Sequence, residues 1–239
     1  MTLNGKTALI TGGGTGIGLG AAQALAAAGC RVAIAGRREE VLKAAAETCG
    51  ASYHAVDVAD QASVAALFAW VRETLGAIDM LVNSAGLNIR TRSMAEMTPD
   101  QWELVMRVNA YGAYYCMHQV LPEMRERGDG LIINISSIAG KRALELGGIA
   151  YCASKFAMTA LGTAVGNEVA RDGVRVTNIY PGEVNTPILE NRPAPVSDER
   201  KAAMLQPEDV GQMVAAIAAL PPRAHVAEMV IKPRVQEYC

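Results

Sequence analysis

The sequence predicts a single α/β domain, a doubly wound parallel sheet of about seven strands with helices on both faces. Three observations carry that prediction. Short apolar runs alternate with longer helix-like stretches along nearly all of the 239 residues. The first run, Thr7-Ala8-Leu9-Ile10, passes straight into a glycine turn and then an alanine-rich stretch from Gly20 to Ala28. No Pro/Gly/Ser-rich linker, internal repeat or low-complexity segment divides the chain, and 51% hydrophobic residues supply a sizeable core.

Taken in order, strands are expected near 6–10, 31–35, 52–57, 78–82, 131–136, 174–180 and 226–231. Runs such as Val32-Ala33-Ile34-Ala35 and Met80-Leu81-Val82 have the length and continuous apolarity of strands buried on both faces. Helices are expected over 17–28, 39–49, 61–75, 100–127, 151–171 and 207–219. A helix between successive strands is the crossover that parallel pairing requires, and right-handed crossovers leave a ligand crevice at the carboxyl ends of the strands. The proline-containing, mixed-charge segment 188–206 is expected to be a loop at that crevice.

Composition removes several functions. A net charge of −2 gives no electrostatic footprint for nucleic acid, and no basic run suits an anionic membrane. No apolar stretch approaches the ~18 residues of a membrane span. The chain enters its first strand almost at once, which leaves no room for a signal peptide. Cysteines 30, 49, 116, 152 and 239 are scattered without a C-x-x-C pair, so a reducing cytoplasm is expected and no metal site.

The chemistry begins at Thr11-Gly12-Gly13-Gly14-Thr15-Gly16-Ile17-Gly18. Glycines between a strand and a helix let the backbone approach a dinucleotide pyrophosphate, and the helix N-terminus offers it unpaired N–H groups. The second strand ends Gly36-Arg37-Arg38 without the carboxylate that would accept ribose hydroxyls, and a planar guanidinium suits a 2′-phosphate. Further along, Tyr151 and Lys155 stand four residues apart, one turn of a helix. A free phenol titrates near ~10, and an ammonium at ~4 Å favours phenolate by up to ~4 kcal/mol at an effective dielectric of ~20. Tyr151 is therefore a candidate general acid/base tuned by Lys155.

Together the turn Thr11-Gly12-x-x-x-Gly16-x-Gly18 and Tyr151-x-x-x-Lys155 resemble the short-chain dehydrogenase/reductase family. Asn83-Ser84-Ala85-Gly86, Ile135-Ser136-Ser137 and Pro181-Gly182 with Thr186 are similar to further motifs of that family, in its order. The resemblance implies a Rossmann-like fold and an oxidoreductase acting on carbonyl and alcohol groups. It implies catalytic roles for Asn109, Ser137, Tyr151 and Lys155: Tyr151 as the proton exchanger, Ser137 on the substrate oxygen, Lys155 on the nicotinamide ribose, and Asn109 kinking its helix and holding a relay water. By the same resemblance Gly12, Gly14, Thr15, Gly16, Ile17 and Gly18 hold the cofactor phosphates. Arg37 and Arg38 imply NADP(H) over NAD(H), although Thr15 stands where some NADP-dependent members carry a basic residue. Asp57 and Val58 would meet the adenine. Asn83, Ala85, Gly86, Pro181, Gly182, Val184 and Thr186 complete the implied cofactor contacts, with Tyr151 and Lys155.

Substrate identity is less legible. Arg90, Arg92, Arg142, Glu145 and Glu183 lie in segments that reach the expected site, and an arginine there would favour an acidic substrate; plain surface charge is the alternative. The tail Met229-Val230-Ile231-Lys232-Pro233-Arg234-Val235-Gln236 is similar to the NADP-dependent 3-hydroxy acid and serine dehydrogenase branch. A 3-oxoacyl-thioester reductase and a non-catalytic nucleotide-binding sensor remain alternatives. The resemblance also implies a homotetramer or homodimer built through the helices after strands four and five.

Overall fold

Strands and helices alternate as the sequence predicts, and their burial explains why. The computed structural model describes residues 3–237. Cys239, one of the five cysteines, lies outside them. The strands are β1 (Thr7–Thr11), β2 (Arg31–Gly36), β3 (Ser52–Ala55), β4 (Met80–Asn83), β5 (Gly130–Ile135), β6 (Val174–Pro181) and β7 (Glu228–Ile231). They form one sheet in the order β3-β2-β1-β4-β5-β6-β7, every pair parallel. The helices are α1 (Gly16–Ala27), α2 (Glu39–Cys49), α3 (Gln61–Leu75), α4 (Pro99–Met106), α5 (Gly112–Arg127), α6 (Ile149–Val169), α7 (Asp198–Ala203) and α8 (Pro207–Ala218).

Side chains alternate across the sheet, so each strand feeds two cores. Ala8, Ile10, Val32, Ile34, Leu131 and Ile133 pack with α1, α2 and α8 on one face. Leu9, Ala33, Ala35, Leu81, Ile132 and Val176 pack with α3, α5 and α6 on the other. This makes it a Rossmann-like three-layer domain.

Two expectations are corrected. The stretch 100–127 is not one helix: a π-helical turn, Arg107–Tyr111, separates α4 from α5, with Asn109 fully buried in it. The segment 188–206 is not a plain loop. It holds a 3₁₀ turn at Pro187–Asn191 and the short helix α7, capped by the Ser197 hydroxyl accepting from the Arg200 amide at 3.2 Å. Asp198 and Glu199 in the first turn and Lys201 in the last suit the helix dipole. With no apolar stripe, α7 leaves no periodic trace in the sequence.

A row of buried amides ties the central strands together near their carboxyl ends. Asn83, Asn134 and Asn178 are register partners on β4, β5 and β6. Asn83 donates to Asn134 at 2.9 Å, and Asn134 donates to Asn178 at 3.1 Å. A Cβ on Gly162 would stand 2.2 Å from the Asn178 oxygen, so only glycine lets α6 come down onto this row. Asn134→Ala is expected to leave two buried amide groups unpartnered and to cost about 2–4 kcal/mol in urea unfolding, with an unchanged m value.

Candidate active site

A cleft of about 750 Å³ runs across the carboxyl ends of the strands. At one end is the glycine turn. Gly12 and Gly16 have φ of 67° and 53°, the left-handed region open to glycine. A Cβ on Gly12 would stand 2.8 Å from the Ala85 backbone, so the turn packs against the segment after β4 only as glycine. Gly14, Thr15, Gly16 and Ile17 line the cleft around the start of α1. The first turn of α1 carries no acidic residue, and the Thr15 side chain makes no capping bond. Its leading amides therefore remain donors for an anion.

Arg37 and Arg38 line the same end, exposed and with side chains that have no ion-pair or hydrogen-bond partners among the described residues. Asp57 and Val58, just beyond β3, also line it. Ala85 and Gly86 form the opposite wall, and Pro181, Gly182, Val184 and Thr186 the floor beyond β6. Open helix amides and two unpaired guanidiniums beside a glycine cradle fit a phosphorylated dinucleotide. Two expected cofactor residues lie outside the lining. Gly18 packs α1 onto the turn, where a Cβ would come within 2.2 Å of the Gly12 carbonyl oxygen, and Asn83 is buried in the amide row.

The other end gathers the expected catalytic residues. Tyr151 and Lys155 project from one face of α6, with the Lys155 Nζ 5.7 Å from the phenol ring centroid. Lys155 is 4% exposed and donates to the Ile135 carbonyl at 2.8 Å. Burial pulls its ammonium down to about 8. Tyr151 moves the other way. Burial pushes the phenol up, while a hydrogen bond with Ser137 and the Arg92 charge oppose the rise. Burial is the largest influence on both groups, and the Arg92 charge is a second cation favouring the tyrosinate.

Ser136 and Ser137 both line the cleft, but only the Ser137 hydroxyl meets Tyr151. The Ser136 hydroxyl is buried and donates to the Lys155 carbonyl at 3.2 Å, whereas Ser137 accepts from the Ala139 amide and faces Tyr151. Asn109 stands behind the lining. Its oxygen accepts from the Leu87 amide at 2.8 Å, and its amide donates to the Leu87 carbonyl and to Ser154, each at 2.9 Å. A Cβ on Gly86 would lie 3.5 Å from both the Asn109 oxygen and the Lys155 Nζ, so the two flank this glycine.

The arginines act as braces. Arg90 donates to the Glu190 carbonyl at 3.2 Å, and Arg92 donates to the carbonyls of Leu146 and Asn191. Arg92 and Glu145 line the cleft; Glu183 also lines it and is paired with Arg192 and Arg200. Three residues the sequence reading missed support the site. Asn88 donates to the Gly147 carbonyl at 3.0 Å, Ser154 receives Asn109, and Gln236 enters the cleft from the tail. Asn88 and Ser154 lie beside motifs already singled out; Gln236 carries no local signal.

The geometry agrees with comparisons to known proteins. A family model for short chain dehydrogenases matches residues 6–196. The chain belongs to the short-chain dehydrogenase family. As a member it is an oxidoreductase. It is 36% identical over 239 residues to an uncharacterized oxidoreductase of Staphylococcus saprophyticus, covering 97% of this chain and 98% of that protein. Among solved structures, a single-substitution variant of actinorhodin polyketide ketoreductase with NADPH superposes with a TM-score of 0.88 at 32% identity, covering 98% of each chain. The closed form of serine dehydrogenase complexed with NADP+ gives a TM-score of 0.88 at 30% identity, covering 97% of this chain and 96% of that one.

Keeping Lys155 charged at neutral pH in its buried site costs roughly 3 kcal/mol, by its displacement from 10.5 to about 8. Unfolding restores the higher value, so stability rises as pH climbs through the window between the two. Lys155→Met is accordingly expected to raise the neutral-pH melting temperature of the protein without added cofactor by a few degrees, and to flatten that pH dependence. Calorimetry across the window checks both.

Proposed function

We propose that the protein is an NADP(H)-dependent oxidoreductase that interconverts a small carbonyl compound and its alcohol, with Tyr151 as general acid/base. The observation that carries this reading is the meeting of Ser137, Tyr151 and Lys155 at one end of a cleft whose other end offers open helix amides, Arg37 and Arg38. NADP or NADPH in the two solved relatives supports the choice of cofactor.

Bound here, the nicotinamide would donate or accept the hydride. In reduction, Tyr151 gives its proton to the carbonyl oxygen, and Ser137 donates a hydrogen bond to the same oxygen. The Lys155 ammonium, buried close to the ring, stabilises the tyrosinate left behind and holds the ribose. A phenol raised by burial is a poor acid, so a charge needed most at the moment of proton loss is well placed. Asn109 fixes the Leu87 backbone and the π turn, and positions a water that returns the proton through Lys155. The exposed segment 187–206 covers the substrate end. The polyketide ketoreductase likeness favours one second reading, reduction of a 3-oxoacyl thioester.

Among the described residues no helix is long and apolar enough to cross a membrane, and Cys30, Cys49, Cys116 and Cys152 are free thiols. We place the protein in the cytoplasm on the thiols. We also propose a homotetramer or homodimer through α4, the π turn, α5 and α6, where Trp102, Leu104, Tyr111, Tyr114 and Phe156 are exposed large hydrophobics. Tyr111→Glu combined with Tyr114→Glu is expected to yield smaller particles than wild type in sedimentation velocity; an unchanged coefficient would overturn the assignment.

NADPH consumption over a panel of aldehydes, ketones, oxo acids and a 3-oxoacyl thioester tests the chemistry. Tyr151→Phe is expected to lower kcat at least ~100-fold with NADPH binding retained. Arg37→Ser is expected to weaken NADPH about tenfold, ~1.4 kcal/mol, and to leave NADH affinity unchanged. A wild-type preference for NADH would refute the cofactor assignment.

A further inference from the structure

The segment that follows the cofactor-facing turn is tied down from one residue. Glu183 lies just past β6, between Gly182 and Val184. Its carboxylate accepts from Arg192 at 2.7 Å and from Arg200 at 3.0 and 3.1 Å. Its backbone carbonyl accepts from the Leu205 amide at 3.1 Å, and its own amide donates to the Gln236 side chain at 2.9 Å. One residue thus joins the early part, the short helix and the end of 187–206, together with the tail. Its neighbours Arg192 and Arg200 line the cleft with it, so the clamp stands at the substrate end and not on the remote surface.

The two ion pairs differ in their exposure to water. The side chains of Arg192 and Glu183 are 14% and 15% exposed, whereas Arg200 is 59% exposed. Separating the sheltered pair strands two charges away from water, a costly event. Separating the exposed pair exchanges a screened contact for hydration at little cost. The clamp therefore has a fixed arm and a free one. The geometry points to Glu183 as a positioning residue that holds 187–206 closed over the substrate end, with Arg192 as its permanent tie and Arg200 as the tie that opens for substrate entry. The same residue adjoins Gly182 and Val184, so the clamp is rooted in the cofactor floor. The kinetic part rests on the reaction proposed above; the structural part does not.

Hydrogen–deuterium exchange on the full chain, with and without NADPH, tests the clamp in wild type, Glu183→Gln and Arg200→Gln. Both variants are expected to exchange faster across 193–203, by about threefold or more, with the sheet strands unchanged. Glu183→Gln is expected to extend that effect to Asn191 and Arg192, which Arg200→Gln spares. With a substrate in hand, Arg200→Gln is expected to raise KM about three- to tenfold without a matching fall in kcat, the sign of lost closure and not of lost chemistry. Unchanged exchange across the segment in Arg200→Gln overturns the proposal, and because that guanidinium is exposed the variant tests it even if Glu183→Gln folds poorly. A fall in kcat with KM unchanged also overturns it, by placing these residues in the chemistry. If no carbonyl compound is turned over while exchange changes as expected, the proposed reaction fails and the clamp stands.

Discussion

Parallel pairing forces every strand to end on the same side, and the buried amide row of Asn83, Asn134 and Asn178 ties three of them together at one level near that end. Much of the site follows from that level. Ser137 comes two residues after β5, the Asn83 turn leads into Gly86, and Pro181 closes β6, so the segments that leave the sheet do so around one cleft. The row also governs α6. Gly162 lies over Asn134 and Asn178 without a side chain, which brings the helix close enough for Lys155 to reach the Ile135 carbonyl. The polar row is costly to bury and is stabilised only because its members bond one another and α6.

Burial is the largest influence on the resting ionisation of Tyr151 and Lys155. It lowers the Lys155 ammonium to about 8 and raises the Tyr151 phenol, so it disfavours the charged form of each. Bringing the two ionised forms together then offsets the cost of both: the ammonium that burial disfavours is the group a tyrosinate needs. Arg92 adds a second cation to this balance while its guanidinium braces Leu146 and Asn191. Its own charge is disfavoured by burial and by Arg192. The Glu183 carboxylate beside Arg192 limits that repulsion, which links the substrate segment to the electrostatics of the phenol.

Much of this was legible from local sequence because it depends on local chemistry. Apolar runs mark the central strands, since strands buried on both faces need little else, while the edge strands β3 and β7 are only partly buried and follow from the alternation of elements. The glycine turn and the Tyr151–Lys155 spacing are short-range signals, and the structure brings both to the cleft. What escaped depends on contacts across the chain. The resemblance places a kink at Asn109, but the side-chain bonds to Leu87 that accompany the π turn are invisible in a helical stretch. Asn83 reads as a ligand residue from its motif but spends its amide on Asn134. Helix α7 has charge and a cap but no apolar stripe, so its segment reads as loop.

The same distinction explains why substrate identity resists reading from the sequence while the oxidoreductase family does not. Proton exchange needs two or three groups on one helix and one strand end, whose spacing is fixed by the helix itself. Substrate shape is set by a different wall, assembled from residues 87–92, 144–147, 183–200 and 236. These come from four loops that no shared element holds in register. Their mutual positions depend on cross-chain ties such as Arg90 to Glu190, Arg92 to Asn191 and Glu183 to Arg192. A wall held by a few polar ties can be rebuilt by changing one of them, while the catalytic end, held by the sheet and α6, stays in place.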